Sequence, residues 1–320
     1  MFKTPNFWKK KGVLSFILLP ISYLYYLGHI LNSKFRKEIT INIPVICVGN
    51  LVVGGSGKTP LVIKIRQILS KKYKKIFVLT RGYGGVKKGP LIVNKTYKYE
   101  EVGDESLLHH QHGDTCMSKN KIHGGLFCVK NGADLLILDD GLQSINLKKN
   151  VSILVVDLNY KFGNRRIFPA GPLREKIGNV NKKYEIIICI GKSKKKFDEI
   201  NFDDNKVIYA EKSIILKELK NKKILAFSGL GNNLNFLNLL KKQKLEIVRF
   251  LQFPDHHSYS IKEIKNILKI ANKEKLSVVT TEKDYLKIPS SLQIKINVAK
   301  LSIKIENEKK FLELLLGGLF

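Results

Sequence analysis

A strand, a glycine-rich turn and a helix follow one another without a break over residues 43–70, and few folds accommodate that run. IPVICVG, residues 43–49, is a short apolar segment of buried-strand type. VGNLVVGGSGKTP then carries Gly49, Gly54, Gly55 and Gly57 ahead of Lys58 and Thr59. PLVIKIRQILS, residues 60–70, spaces its apolar residues as a helix does. This is the setting of a phosphate-binding loop, in which backbone N–H groups turn inward, a lysine reaches the β and γ oxygens, and a hydroxyl meets Mg2+. The usual pattern G-x-x-x-x-G-K-[ST] begins with a glycine, and here Val52 stands in that place. Small residues at Gly54, Gly55, Ser56 and Gly57 still permit the nest, so Val52, Val53, Gly54, Gly55, Ser56, Gly57, Lys58 and Thr59 are expected to bind a nucleotide. A plain glycine turn before an ordinary lysine is the competing reading.

The rest of the chain repeats the alternation. KKIFVLTRGYGG reads as a strand and a turn bearing Arg81, and LILDDGLQ as a strand ending in Asp139 and Asp140. VSILVVDL and YEIIICIG are two further buried-type strands. Between them FGNRRIFPAGPLREK, residues 162–176, is too rich in proline and glycine for regular structure. A lysine-rich connector, residues 192–206, marks the best boundary. Beyond it come strands in KKILAFSGLG, LEIVRFLQF, LSVVTTEKD and IKINVAKLSI, with helices near residues 233–244, 261–274 and 308–315. Such alternation predicts an α/β protein of two parallel-sheet α/β/α domains, the first resembling a phosphate-loop NTPase. The expected division is an N-terminal helix over 1–34, a kinase-type domain over 35–200 and a smaller α/β domain over 201–320.

Composition bounds the partners. Lys and Arg number 57 against 27 Asp and Glu, a net charge of +30. Charge of that sign admits nucleic acid, acidic lipid or a phosphorylated substrate. The lysines are spread along the chain and no helix–turn–helix, finger or RNP-type motif accompanies them, so nucleic acid is not expected. No obligate protein partner is evident. Cys47, Cys116, Cys128 and Cys189 form no C-x-x-C pair and read as free thiols of a reducing compartment.

The N-terminal run over residues 12–33 lacks Asp, Glu, Lys and Arg and is flanked by Lys9–Lys11 and by Lys34, Arg36 and Lys37. Its length just spans a bilayer. Pro20 interrupts it, Ser15, Ser22 and His29 dilute it, and both flanks are basic. A helix lying in the membrane surface is therefore expected, with a single span as the alternative.

Several side chains invite chemistry. The paired acids Asp139 and Asp140 at a strand end suit Mg2+, and Gln143 suits a water or phosphate oxygen. FPDHHSYS places His256 and His257 beside Asp255, where a histidine can serve as a general base. An Asp255 helix cap with two surface histidines is the other reading. Arg81, Arg165, Arg166 and Arg174, the last beside Glu175, can clamp phosphate or form loop ion pairs. HHQHGDTC, residues 109–116, has metal-ligand residue types at no established spacing, and reads as helix-surface histidines.

VGNLVVGGSGKTP, TRGYGG, VGDES, LDDGLQ, PAGPLRE, AFSGLGN, FPDHHSYS and TTEKD occur in that order between about residues 7 and 287. Together they resemble the tetraacyldisaccharide 4'-kinase family, the lipid A 4'-kinases of Gram-negative bacteria, whose phosphate loop resembles GNxxxGGxGKTP. The resemblance implies γ-phosphoryl transfer from ATP, with Mg2+, to the 4'-hydroxyl of a tetraacylated glucosamine disaccharide 1-phosphate, forming lipid IVA. It implies two α/β domains around a cleft, at the cytoplasmic face of the inner membrane. By matching motifs, Lys58 would hold phosphates, and Thr59, Asp139 and Asp140 the metal. Asp104 and His256 would form an acid–base pair, while Arg81, Gln143, Arg174, Glu175 and Asp255 would line the cleft. Ser106 replaces a proline common in the family and is expected to loosen its turn. A membrane-attached regulatory NTPase without a lipid acceptor is the rival. It shares the loop and the acid-tipped strand but has no use for a His/Asp pair.

Overall fold

The structure, a computed structural model, describes residues 5–34, 37–54, 56–144, 146–178, 180–191, 202–219 and 221–319. Its strands are β1 (Val45–Gly49), β2 (Ile76–Thr80), β3 (Leu91–Ile92), β4 (Thr115–Met117), β5 (Leu135–Asp139), β6 (Val151–Asp157), β7 (Ile186–Ile190), β8 (Val207–Ile215), β9 (Lys223–Ser228), β10 (Glu246–Gln252), β11 (Ser277–Thr281) and β12 (Asn297–Ile305). They form one sheet in the order β10-β9-β11-β12-β8-β7-β6-β1-β5-β2-β4-β3.

β1, β2, β5 and β7 are buried at every position, as parallel strands covered on both faces must be. β1 runs parallel between β5 and β6, so its two neighbours continue in opposite directions along the sheet. That is a topological switch point, where open α/β sheets leave a crevice at the strands' carboxyl ends. Alternate side chains of these strands feed two cores. Cys47, Leu136, Leu138 and Leu154 face one side, and Ile46, Val48, Ile137 and Ile153 face the other. On the second side the loop helix, Lys58–Leu69, inserts Leu61, Val62 and Ile65.

The second half repeats the plan with β9, β10 and β11 in parallel. The helix Ile261–Lys273 starts at a capping box of Ser260 and Glu263 and buries Ile264, Ile267 and Ala271 against Phe227 and Val278. The opposite face is closed by Phe236 and Leu240 of the helix Asn233–Lys241. All-parallel pairing fails at two places, because β12 runs antiparallel to β8 and β3 antiparallel to β4. The β8–β12 ladder joins the halves, and β8 itself lies in a stretch whose partial alternation gave no clear strand signal. Residues 192–201 of the expected boundary lie outside the described residues.

After β12 the helix Glu308–Gly317, capped by Asn307, returns to the first half. It places Phe311 and Leu315, with Leu319, in the core that also holds Leu61 and Ile65. Lys64 Nζ of the loop helix lies 2.6 Å from Glu308 Oε1.

The N-terminal run is two helices, Val13–Ile17 and Leu19–Lys34. Pro20 falls in the first turn of the second, where its missing N–H costs no helical bond. Among the described residues no helix is long and apolar enough to cross a membrane. The serines do not merely dilute this run; they dock it. Ser15 Oγ donates to Ala170 O at 2.8 Å and Ser22 Oγ to Ile167 O at 2.9 Å, while Trp8 Nε1 donates to Pro169 O at 2.9 Å. Val13, Phe16, Ile17, Leu24 and Leu31 are left exposed. The four cysteines are free and buried, and burial pushes the Cys47 and Cys189 thiols up to about 12.

Candidate active site

The loop after β1 is tied down at its start. Val52 pairs with Leu173, and Val53 N donates to Pro172 O at 2.8 Å. This extended pairing suits a β-branched residue, which explains a valine where the common pattern has glycine. The Val53 amide is thus engaged with the 172–174 segment and is not turned to a phosphate. The bend itself uses positive φ, +121° at Gly54 and +90° at Gly57, the N-cap of the loop helix. A Cβ on Gly57 would come within 2.9 Å of Lys212 Cε. Gly55 lies outside the described residues. Ser56 is buried with no partner for its Oγ among the described residues. Lys58 Nζ sits 3.1 Å from Asn50 Oδ1 and 3.5 Å from Asp140 Oδ1.

The two acids at the end of β5 have different surroundings. Asp139 is buried, and its Oδ2 accepts from Thr59 Oγ1 at 3.1 Å and meets His109 Nε2 at 2.8 Å. Its Oδ1 has no partner among the described residues. Burial opposes its charged form, but the His109 hydrogen bond and the nearby Lys58 and Lys121 ammoniums outweigh that, holding the carboxyl below its usual range. Asp140 follows at φ 55°, a left-handed conformation that aspartate tolerates better than most residues. Arg174 Nη1 donates to both of its oxygens at 2.9 Å and to Gln143 Oε1 at 3.2 Å. Gln143 Nε2 reaches Glu175 Oε1 at 3.1 Å, and Lys183 pairs with the other Glu175 oxygen. Five expected residues therefore converge here: Lys58, Asp140, Gln143, Arg174 and Glu175.

The second cluster joins the halves. His256, at φ 58°, meets Asp104 Oδ2 through Nδ1 at 2.8 Å. The carboxylate accepts, so Nδ1 carries the proton and Nε2 is left as the acceptor. Lys283 Nζ donates to that Nε2 at 3.3 Å, and Asp255 Oδ1 lies 3.8 Å from it. Asp104 is buried and also faces Lys283 at 3.6 Å and Lys287 at 3.3 Å. Burial works against its charge, but the His256 hydrogen bond and the two lysines prevail and hold it well below the usual carboxylate range. The following helix is capped by Ser260 and not by Asp255, and His257 instead contacts Glu263 at 3.1 Å. Arg81 is exposed just beyond β2, and its charge acts on Lys121, whose ammonium in turn acts on Asp139.

One short helix, Asp104–His110, links the clusters. Asp104 at its start holds His256, and His109 one turn and a half later holds Asp139. Five residues of helix advance about 7.5 Å, so the two clusters lie close together, and Glu105 between them feels charges of both. His109 was expected on the helix surface, yet it is fully buried. His112 contacts Glu282 at 3.3 Å, and no group of three or more potential metal ligands gathers among the described residues. Ser106 does not loosen its turn. It is buried, with its Oγ 2.6 Å from Thr80 Oγ1. Sequence reasoning gave no role to Asn50, His109, Lys283 or Lys287. The two lysines, spaced i and i+4 after β11, were the available signal.

A family model described as tetraacyldisaccharide-1-P 4'-kinase matches residues 14–319. A tetraacyldisaccharide 4'-kinase of Paramagnetospirillum magneticum is 33% identical over 305 residues, covering 94% of each chain. One of Rickettsia bellii is 33% identical, covering 95% of each. A crystal structure of LpxK from Aquifex aeolicus in complex with ATP superposes with a TM-score of 0.78 at 29% identity, covering 96% of this chain and 100% of that one. With the loop, the acid-tipped strand and the His/Asp pair close together, and a match of this extent, the chain belongs to the tetraacyldisaccharide-1-P 4'-kinase family.

Proposed function

We propose that this protein is an ATP-dependent kinase that phosphorylates the 4'-hydroxyl of a tetraacylated glucosamine disaccharide 1-phosphate, producing lipid IVA. The observation that carries this reading is the His256–Asp104 pair, 2.8 Å apart, one short helix away from the acids facing the phosphate loop. A nucleotide switch has no need of such a base.

The loop from Gly54 to Thr59 binds the triphosphate, with Lys58 on its phosphates, while Val52 and Val53 anchor the start of the loop. Mg2+ fits the donor set, since Thr59 and Asp139 offer hard oxygens and the buried Asp139 Oδ1 has no protein partner. When bound, the ion neutralises charge on the transferring phosphoryl group. Asp139 is the better ligand of the two acids, because Asp140 is already held by Arg174 and Lys58. Arg174, Glu175 and Gln143 fix the cleft wall, with Asp255 and Arg81 nearer the acceptor.

The acceptor hydroxyl displaces Lys283 from His256 Nε2 and gives its proton to that nitrogen. Its oxygen forms the new bond to the γ-phosphorus while the bond to the β–γ bridging oxygen breaks, releasing ADP. Asp104 keeps the imidazole in the right tautomer and stabilises its charge. The working division is an N-terminal segment (1–34), a phosphate-loop half (35–200) and a second half (201–320), supported by the separate cores around β9–β11. The outward apolar faces of the N-terminal helices suit the inner leaflet, where acyl chains hold the acceptor. A chain lacking residues 1–34 is expected to leave vesicles, and a truncated chain that still sediments with them points to another anchor.

The decisive experiment is incubation with labelled ATP and the disaccharide 1-phosphate, followed by location of the new phosphate. Label at the 4' position is expected. Hydrolysis with no phosphorylated lipid would instead favour the regulatory NTPase.

A further inference from the structure

His109 is buried completely, and what it does there is not explained by packing. Its partner Asp139 only accepts, so the ring proton sits on Nε2 and Nδ1 is a bare acceptor, buried and without a partner. An unsatisfied buried acceptor costs stability, and an apolar residue of similar size would avoid that cost. The residue is nevertheless held at its backbone. Arg66, on the loop helix, donates from Nη1 to His109 O at 3.2 Å and from Nη2 to Ile76 O at 2.8 Å. A closed circuit results, from the loop helix through Arg66 to His109, through its ring to Asp139, and back to the loop helix at Thr59.

Both donors of that circuit reach the same carboxylate oxygen. Oδ2 of Asp139 takes the His109 and Thr59 hydrogen bonds, at 2.8 and 3.1 Å, and Oδ1 takes none. We propose that His109 is a positioning residue: by holding Oδ2 it fixes the Asp139 carboxylate with Oδ1 as the oxygen reserved for the nucleotide-bound Mg2+ or its water. The Thr59 hydroxyl uses its proton on Oδ2 and keeps its lone pairs for the same ion. Groups that orient a ligand from behind commonly control metal affinity by about 10–100-fold.

The inference rests on the kinase reading, and the test separates the two. The full chain is titrated calorimetrically with a non-hydrolysable ATP analogue, the β,γ-imido triphosphate, once with Mg2+ and once with EDTA. His109→Leu, which fills the space but donates nothing, is expected to weaken binding about tenfold in Mg2+ and by less than about twofold in EDTA. His109→Gln, whose amide donates at similar reach, is expected to recover most of that loss. Adding His109→Leu to Asp139→Asn is expected to change nothing further. A leucine variant equal to wild type in Mg2+, or one weakened equally in EDTA, overturns the inference. If the leucine variant does not fold, His109→Gln and His109→Asn decide: the shorter asparagine amide stops short of Asp139, so equal metal dependence in these two variants overturns the inference. A wild-type protein whose nucleotide binding ignores Mg2+ overturns the kinase reading, and this inference with it.

Discussion

Lys58, Thr59, Asp139, Asp140 and Arg174 reach their cluster from the carboxyl edge of one parallel sheet and its neighbouring loop, whereas Asp104 and His256 meet from positions 152 residues apart. The first cluster is locked within one half by a two-oxygen arginine contact and a shared carboxylate. The second exists only where the halves touch, and there one buried carboxylate faces an imidazole and two lysines. On the proposed roles, binding of phosphate should survive damage to the junction, while transfer should not.

The sharpest way to break this contrast is at the phosphate end. Lys58→Ala is expected to lower kcat/KM by about 10³-fold, with the Asp104–His256 contact and the thermal midpoint nearly unchanged. Steady-state kinetics and a melting curve measure both. Next comes Asp104→Asn, which leaves Lys283 with Glu105 at 3.9 Å and Lys287 with Asp284 at 3.6 Å but removes the buried carboxylate between them, and is expected to cost about 3 kcal/mol in urea unfolding at pH 7. Its pH dependence follows from the depressed folded-state pKa. The Asp104 contribution is fully present above the unfolded value of about 4 and is lost as pH falls through the folded value, so the gap between wild type and variant should narrow below about pH 4. A gap that widens in acid would contradict the ion-pair account.

His256→Ala should lower kcat by about 10²-fold and leave nucleotide affinity intact, which a KM-against-kcat split would show. Loss of both together would mean that the clusters are not separable. The smallest effect is expected next door. His257→Ala removes a partly exposed contact with Glu263 and the ring contacts with Phe253 and Tyr259, and should cost about 1 kcal/mol of stability while changing activity little.

Much of this site was legible because its residues sit at strand ends. Strand, glycine turn and helix announced Lys58 and Thr59, and an apolar run ending in two acids announced Asp139 and Asp140. The helices expected near residues 233, 261 and 308 begin at Asn233, Ile261 and Glu308. His109 was not legible, because its partner lies 30 residues away and a polar residue in a short helix gives no local sign of facing inward. Ser15 and Ser22 were read as a weakness of an apolar run for the same reason. Their partners, Ala170 and Ile167, belong to a loop far along the chain. The direction of β12 was hidden too, since alternation of strand and helix does not specify which strand a crossover rejoins.

The return of the helix Glu308–Gly317 to the first half carries a cost in time. Phe311, Leu315 and Leu319 support the loop helix from behind, yet the ribosome makes them long after Lys58 and Thr59. A nascent chain can thus seat Leu61 and Ile65 against Ile46, Val48 and Ile137 early, but the part of that core built from Phe311, Leu315 and Leu319 closes only when residues 308–319 arrive. A frameshift past residue 306 would uncover the side of the loop helix that faces Phe311 and Leu315, although it leaves the codons of Lys58 and Thr59 intact.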